Sequence, residues 1–209
     1  MMKVRWHYGP WALALCLAWP GAQPLAREIP AAPRHPAQKS FPLPARKSGL
    51  WEVTVRPADL MLRRSGQAPR RPQTVQMCTS ADAEAVMLLA VVPAQEDCHK
   101  TQVTPLRSGK AVAGYDIATV CYVHDNRVEA QVELRGDLQS AYSGAFSVQY
   151  SQTPLHNTGR MLFEGRWLGA CQPGQRPGDM VLPNGVTVNV VDDRQRAQTH
   201  QHESDGHAH

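Results

Sequence analysis

The C-terminal end of the chain carries the residue types that could bind a metal ion. Two His-x-His pairs are formed by His200 with His202 and by His207 with His209, and acidic residues stand between the pairs. Neutral imidazoles with nearby carboxylates suit Zn, Cu or Ni. A tail without a fixed structure has no preorganised site, so we expect at most adventitious metal binding there and no other cofactor.

Two arginine pairs could bind an anion. Arg63 with Arg64 and Arg70 with Arg71 lie in one predicted loop, and guanidinium groups suit phosphate, lipopolysaccharide or an acidic partner. A charge run in a loop is more often solvated surface. The whole chain has a formal net charge of +4, which falls to +2 once the two basic residues of the leader are removed, so we do not expect nucleic-acid binding.

Large aromatic side chains recur at alternate positions. Trp51, Phe146 and Trp167 could line a cavity for an apolar or amphipathic small molecule. Aromatic residues at a period of two more often form the core. The sequence contains no GxSxG elbow, no HExxH and no glycine loop for phosphate. We therefore expect a protein that is not an enzyme.

Four of the five cysteines lie outside the hydrophobic leader. Cys78, Cys98, Cys121 and Cys171 could be metal ligands, but no CxxC pair exists, and the CxxH spacing from Cys121 to His124 has no second ligand pair beside it. An exported chain favours disulfides. Of the three possible connectivities we favour Cys78 with Cys98 and Cys121 with Cys171, and the other two stay open.

The N-terminus has the pattern of a secretory signal. Lys3 and Arg5 precede an apolar stretch that begins at Trp11 and ends at Pro20. This stretch is about half the roughly 20 residues that a membrane span needs. We therefore assign residues 1–26 to a signal peptide, expect no transmembrane anchor, and predict a periplasmic or secreted protein.

Two flanking segments have compositions that do not favour a packed core. Residues 27–47 contain five prolines and few large apolar side chains, which predicts an extended linker. Residues 172–209 change again to a Pro/Gly-rich stretch and a polar end, which predicts a flexible tail. Residues 48–171 remain as the folded domain.

Within that domain the hydrophobic period is two. Apolar residues alternate with charged ones from Val128 to Arg135, the strongest strand signal in the chain. Further strands are predicted at Leu50–Arg56, Thr74–Cys78, His99–Thr104, Ala111–Val123, Tyr142–Tyr150 and Arg160–Cys171. Residues that tolerate positive φ, such as His124 and Asp125, separate the strands, and short loops imply antiparallel neighbours.

A single stretch indicates a helix. Thr79 or Ser80 serves as the N-cap, Glu84 lies in the first turn where the helix dipole favours acids, and Pro93 ends the element. The predicted fold is mainly β: an antiparallel meander of about seven strands that forms a curved sheet or a small barrel, with one short helix and two disulfides.

Short motifs resemble a known family. Gly49-Leu50-Trp51-Glu52-Val53, Cys78-Thr79, the internal Cys98 and Cys121, and Leu168-Gly169-Ala170-Cys171 together resemble the bacterial exported domain of unknown function family numbered 3617. The resemblance covers about residues 48–171. It implies a small, strand-rich domain of the cell envelope, and it carries no catalytic residues, substrate or cofactor.

Two function classes follow. One is a non-catalytic domain that binds a small molecule or a protein of the envelope. The alternative is a structural or interaction protein of the envelope, with accessory metal binding by the histidine tail. The first would use the inward aromatic residues, and the second an exposed surface or the arginine loop.

Overall fold

The computed structural model describes residues 42–58 and 71–205, with side chains described as far as Ala197. The predicted signal peptide, most of the predicted linker and three of the loop arginines, Arg63, Arg64 and Arg70, lie outside the described residues. So do His207, His209 and the side chains of His200 and His202. The elements, in chain order, are β1 (Gly49–Pro57), β2 (Gln73–Thr79), α1 (Glu84–Met87), β3 (Cys98–Ser108), β4 (Ala111–Val123), β5 (Asn126–Asp137), β6 (Ala141–Tyr150), β7 (Met161–Gly169), β8 (Asp179–Val181), β9 (Thr187–Asn189) and α2 (Val190–Asp205).

The nine strands form one antiparallel sheet in the order β3-β4-β5-β6-β7-β1-β2-β8-β9. Strands β3 to β7 are a meander, and β1 lies between β7 and β2. The predicted fold class is confirmed: mainly β, antiparallel and held by two disulfides. Across the described residues the sheet runs from β3 at one edge to β9 at the other and does not close, so the curved-sheet form of the prediction is the correct one and the barrel is not.

Alternation decides which side of each strand is buried. In β5, Val128, Ala130, Val132 and Leu134 are buried, while the residues between them are exposed or half-buried. One face of the sheet therefore forms the core and the other remains wet, as a period of two requires. The two-residue turn between β4 and β5 uses His124 and Asp125 at φ 47° and 63°, the left-handed conformation that such a hairpin needs.

Two glycines make room for aromatic rings in the core. A Cβ at Gly165 would lie 2.3 Å from the ring of Tyr142, and a Cβ at Gly144 would lie 2.4 Å from the ring of Phe163. Each ring therefore packs directly over the backbone of a neighbouring strand. Each ring can approach the sheet this closely because the glycine beneath it has no Cβ.

The predicted helix is shorter than expected but lies where it was expected. Only Glu84–Met87 is helical, and Ser80 caps the preceding turn by accepting a hydrogen bond from the backbone N–H of Ala83 at 3.3 Å. The following residues form turns rather than further helix. Met87, Leu88, Leu89 and Val92 are nonetheless buried among the core side chains of the sheet, so this segment covers the apolar face.

The favoured disulfide connectivity was wrong. The bonds are Cys78–Cys171, with 5.4 Å between the Cα atoms, and Cys98–Cys121. Cys98 lies directly opposite Cys121 in the β3–β4 pair. Cys78 lies in β2 and Cys171 follows β7, and β1 is hydrogen-bonded to both of these strands. The strand order therefore decides the pairing.

The predicted tail and linker boundaries also need correction. Residues 172–205 are not a flexible tail: β8 pairs with β2, β9 pairs with β8, and α2 follows. The backbone N–H of Gly178 donates to the carbonyl of Cys78 at 2.9 Å, which fixes this segment to the domain. At the other end, Leu43 packs on the core and Arg46 is buried, so the domain begins before residue 48. None of the helices in the described part of the chain is long and apolar enough to cross a membrane.

Candidate functional site

The wet face of the sheet is covered with ion pairs, most of which join two strands. The pairs are Arg166–Glu52, Arg135–Asp116, Arg160–Glu133, Arg56–Glu164 and, along β5, Arg127–Glu129. The Arg160 hydrogen bonds hold the pKa of Glu133 below its usual range, against a smaller opposing effect of burial. Because both signs are interspersed, this face has no single-sign patch that would attract nucleic acid.

A furrow lies over the first residues of β6 on this face. Ala141 and Ser143 form its floor because their side chains are small, while longer side chains of β5 and β7 rise on either side. Adjacent strands are about 4.8 Å apart, so β5 and β7 stand about 10 Å from each other. The furrow has a volume of about 480 Å³ and is lined by Glu52, Thr54, Arg135, Gly136, Ala141, Tyr142, Ser143, Glu164, Gly165 and Arg166.

Most charges beside the furrow are already engaged. Arg166 donates to Glu52 through Nε and Nη2 at 2.9 and 2.8 Å. Arg135 donates to the Asp116 carboxylate at 2.7 Å and to the carbonyls of Tyr115 and Leu134. These guanidinium groups are therefore not free to bind an incoming anion.

Two groups of the furrow remain available. The side chain of Glu164 is 67% exposed, and its nearest cation is a nitrogen of Arg56 at 3.6 Å, beyond hydrogen-bond distance. The Ser143 hydroxyl has no hydrogen-bond partner among the described residues. The furrow thus offers one carboxylate that is largely free and one hydroxyl that can donate or accept.

A buried ion pair lies on the opposite, apolar face. The side chains of Arg46 and Glu84 are 0% and 3% exposed, and Arg46 Nε donates to Glu84 Oε1 at 2.6 Å. Arg46 also donates to the hydroxyl of Tyr142 at 2.9 Å, and Thr79 donates to Glu84 at 2.6 Å. No buried side-chain nitrogen or oxygen in the described residues lacks a partner, so this polar cluster is fully satisfied.

Burial and charge shift two pKa values in this cluster. Burial raises the pKa of the Tyr142 hydroxyl, and the nearby Arg46 charge offsets only part of that effect. For Arg46, burial lowers the pKa, but the contacts with Tyr142 and Glu84 outweigh it and the net shift is upward. At ordinary pH Arg46 is therefore a cation and the Tyr142 hydroxyl is neutral.

The sequence did not predict this cluster as a site. Arg46 was assigned to the linker, and Glu84 was assigned to the first turn of a helix. Their partnership joins residues 38 positions apart, and no local pattern signals it. The one clue in the sequence is an arginine three residues before the motif that opens the first strand.

The predicted aromatic residues lie apart from the furrow. Trp51 is 0% exposed and Phe146 is 3% exposed, and both pack against other core side chains. Trp167 is half-buried, donates from Nε1 to the Ser48 carbonyl at 3.1 Å, and lies under the ammonium of Lys47. None of the three lines the furrow, and their role in ligand binding stays a prediction.

The remaining predicted residues are placed as follows. Arg71 is exposed, and the other three loop arginines are outside the described residues. His200 and His202 lie within the backbone of α2. Elsewhere in the described ranges, no group of three or more His, Cys, Asp or Glu side chains could hold a metal ion. All four domain cysteines are in disulfides.

Smaller depressions also lie on the described part of the domain, among them the following two. One, of about 460 Å³, lies between residues 44–45 and the turn after β5. The other, of about 200 Å³, lies between the segment of α1 and the start of α2, and Val86, Val92 and Met180 form part of its apolar lining. Of these three depressions the furrow along β6 has the largest volume, and we take it as the candidate site.

Comparison with known proteins gives a family but no activity. A search of curated proteins and a search of solved structures each found no match. The profile of one family, described as protein of unknown function (DUF3617), matches residues 46–171, which is more than half of the chain. This match confirms the resemblance seen in the motifs and begins at the buried arginine. The chain belongs to the DUF3617 family of proteins of unknown function.

Proposed function

We propose that the chain is an exported protein of the bacterial cell envelope whose folded domain is a non-catalytic binding domain. The furrow along β6 takes an extended segment of a partner protein. The leader at the N-terminus and the two disulfides support export, because disulfides form and persist in oxidising compartments. No transmembrane anchor is part of this proposal.

The shape of the furrow is the observation that supports binding of an extended segment. The furrow lies over the start of β6, its floor is made of small side chains, and it is open to solvent, with a volume of about 480 Å³. Small-molecule sites enclose most of their ligand's surface, whereas an open furrow about 10 Å wide suits a chain in the extended conformation. The core on the other face is filled by its own aromatic side chains, which favours surface binding over a carrier cavity.

The charged groups of the furrow determine which kind of partner segment it would favour. Arg166 and Arg135 are held by their own acidic partners, so Glu164 is the available charge. A carboxylate at this position favours a lysine or arginine of the partner. Side chains of an extended segment that face the sheet recur at every second residue. We therefore expect a partner segment with a basic residue among small polar ones.

Binding can be tested with a defined peptide. The probe is a fluorescent peptide of alternating Lys and Thr, and its control alternates Glu and Thr. Anisotropy is measured at low salt against the full mature protein and against Glu164→Gln and Ser143→Trp. Glu129→Gln is the matched control, because Glu129 lies on the same face of the sheet, has an arginine partner and is outside the furrow.

The expected result is binding of the Lys peptide but not of the Glu peptide. Glu164→Gln should weaken binding about tenfold, which corresponds to one charge-assisted hydrogen bond of about 1.4 kcal/mol. Ser143→Trp should abolish binding because it fills the furrow. Failure of the Lys peptide to bind, or equal losses in Glu164→Gln and Glu129→Gln, refutes this assignment.

Export needs its own experiment. The full chain is produced in a bacterium, the cell fractions are separated, and the intact mass is measured before and after thiol alkylation. A shortened chain in the periplasm or medium that takes up no alkylating agent supports the proposal. A full-length chain in the cytoplasm with reduced cysteines contradicts it.

A further inference from the structure

We propose that Thr79, Glu84, Trp51 and Tyr142 form a binding site specific for an alkylguanidinium group, and that Arg46 fills this site as a ligand from within the chain. The segment before β1 is thereby latched to the core. The proposal does not depend on the furrow or on export, because it concerns the apolar face of the sheet.

The acceptors of the site match the shape of a guanidinium. Arg46 Nε and Nη2 donate to the two oxygens of Glu84 at 2.6 and 3.2 Å, and Nη1 donates to the Tyr142 hydroxyl at 2.9 Å. Each of the three nitrogens thus has its own acceptor. An ammonium group donates from one atom and cannot reproduce this arrangement.

Glu84 is held in place by further donors. Thr79 Oγ1 donates to Oε2 at 2.6 Å, and the backbone N–H of Arg46 donates to Oε1 at 3.2 Å. The threonine bond does not involve Arg46 at all. The carboxylate is therefore oriented for a fork-shaped donor by a residue that would remain if the arginine side chain were removed.

Two aromatic rings complete the site. The guanidinium carbon lies 5.6 Å from the ring centroid of Trp51 and 5.7 Å from that of Tyr142. The ring centroids are 5.3 Å apart and both residues are buried. A buried cation within about 6 Å of a ring centroid gains from the quadrupole of that ring. Carboxylate, phenol and rings together describe a recognition site for an organic cation.

The latch holds a short segment of backbone. The N–H of Lys47 donates to the carbonyl of Leu138 at 2.8 Å, the carbonyl of Lys47 accepts from Trp51 Nε1 at 2.7 Å, and the carbonyl of Ser48 accepts from Trp167 Nε1. These bonds follow Arg46 in the chain and lead directly into β1. The guanidinium is therefore a buried anchor of a segment that is also held by these bonds and by Leu43 on the core.

An ordinary buried salt bridge is the competing explanation, and it makes a different prediction. Such a pair depends on charge alone. Arg46→Lys would then retain much of the stability, and any small cation would stabilise Arg46→Ala. A site that recognises guanidinium depends on its planar, forked set of N–H donors. The stability of Arg46→Lys should then be close to that of Arg46→Ala.

Chemical rescue separates the two explanations. Full-length Arg46→Ala is melted in the presence of ethylguanidinium or ethylammonium at up to about 20 mM. Arg160→Ala is the matched control, because Arg160 forms a forked pair with Glu133 at an exposed position. Wild type and Arg46→Ala/Glu84→Gln are measured in the same way.

We expect ethylguanidinium to raise the melting temperature of Arg46→Ala by about 4 to 7 °C at twenty times its dissociation constant. Ethylammonium should have no such effect, and the other three proteins should not respond. Equal rescue by both cations, no rescue, or the same rise in Arg160→Ala overturns the proposal. If Arg46→Ala does not fold, refolding yield with each cation gives the same comparison: selective recovery with ethylguanidinium supports the site, and its absence overturns it.

Discussion

Gly165→Ala tests whether the ring of Tyr142 truly rests on the backbone of β7. The new Cβ would lie 2.3 Å from Tyr142 Cζ and 2.7 Å from its hydroxyl oxygen. Carbon atoms in contact are about 3.5 to 4.0 Å apart, so the ring must move by more than about 1 Å. It cannot do so freely, because Arg46 donates to its hydroxyl and Trp51 and Phe163 pack around it.

The expected loss of stability follows from these contacts. Overpacking costs about 1 to 3 kcal/mol, and breaking the hydrogen bond from the Arg46 guanidinium adds about 1.5 to 3 kcal/mol. Alanine recovers about 0.4 to 1 kcal/mol by restricting the unfolded chain. The net loss should be about 3 kcal/mol, and with an m-value of about 2 kcal/mol per molar the urea midpoint should fall by about 1.5 M.

The assay is urea unfolding with the disulfides intact, followed by tryptophan fluorescence and far-UV circular dichroism. A double-mutant cycle with Tyr142→Ala isolates the contact, and a coupling free energy of at least about 2 kcal/mol is expected once the ring is gone. Gly109→Ala is the control, since φ at Gly109 is +62° but no atom lies within 4 Å of its added Cβ. It should lose about 1 kcal/mol from backbone strain alone, with or without Tyr142. A loss below about 0.5 kcal/mol in Gly165→Ala, or an unchanged loss in the Tyr142→Ala background, refutes the packing argument.

Three further outcomes are expected. Replacing Cys98 and Cys121 together by serine should lower the free energy of unfolding by about 3 kcal/mol, because the bond closes a loop with a sequence separation of 23 residues. In the wild type, peptide mapping without reduction should recover these two cysteines in one linked pair of peptides. The pKa of Tyr142 is raised in the folded state, so its hydroxyl contributes stability below the unfolded pKa of about 10, and this contribution is lost as pH rises through the folded pKa. Wild type should therefore be more stable than Tyr142→Phe at pH 8. The difference in the free energy of unfolding should shrink above pH 10. A chain that ends at Cys171 lacks β8, the strand that pairs with β2, so limited proteolysis should cut it faster than the chain that continues to Asp205, and equal cutting would mean that β8 adds nothing.

The strands were predictable because their signal is local. Period two and the turn residues predicted the strand from Ala111 to Val123 with both ends correct, and the other six came within a few residues of the observed bounds. A register shift in the β3–β4 pair lies at Gly114 of β4. Successive side chains of a strand point to opposite faces of the sheet. A strand with one buried face therefore needs an apolar residue at every second position.

The pairings between distant elements were not predictable in this way. β1 lies between β7 and β2 in the sheet, and no residue spacing in the sequence predicts this position. It decides both the Cys78–Cys171 bond and the burial of Arg46. The strands β8 and β9 have only three residues each, too few to show a period, and α2 contains mostly polar residues, so composition indicated a tail.

The placement of the disulfides bears on how the furrow would bind. Cys98–Cys121 fixes the edge strand β3 to β4, and Cys78–Cys171 joins β2 to the chain after β7. The furrow lies on β5, β6, β7 and β1, and the Cys78–Cys171 bond spans β1. Its walls are further fixed by ion pairs between strands and by the ring of Tyr142 beneath Gly165. A partner segment would thus meet a surface that needs no reordering, and the entropic cost of binding would fall on the partner alone. Binding should then depend on the side chains of the segment, which is why a single charge, Glu164, is expected to decide between the Lys and Glu peptides.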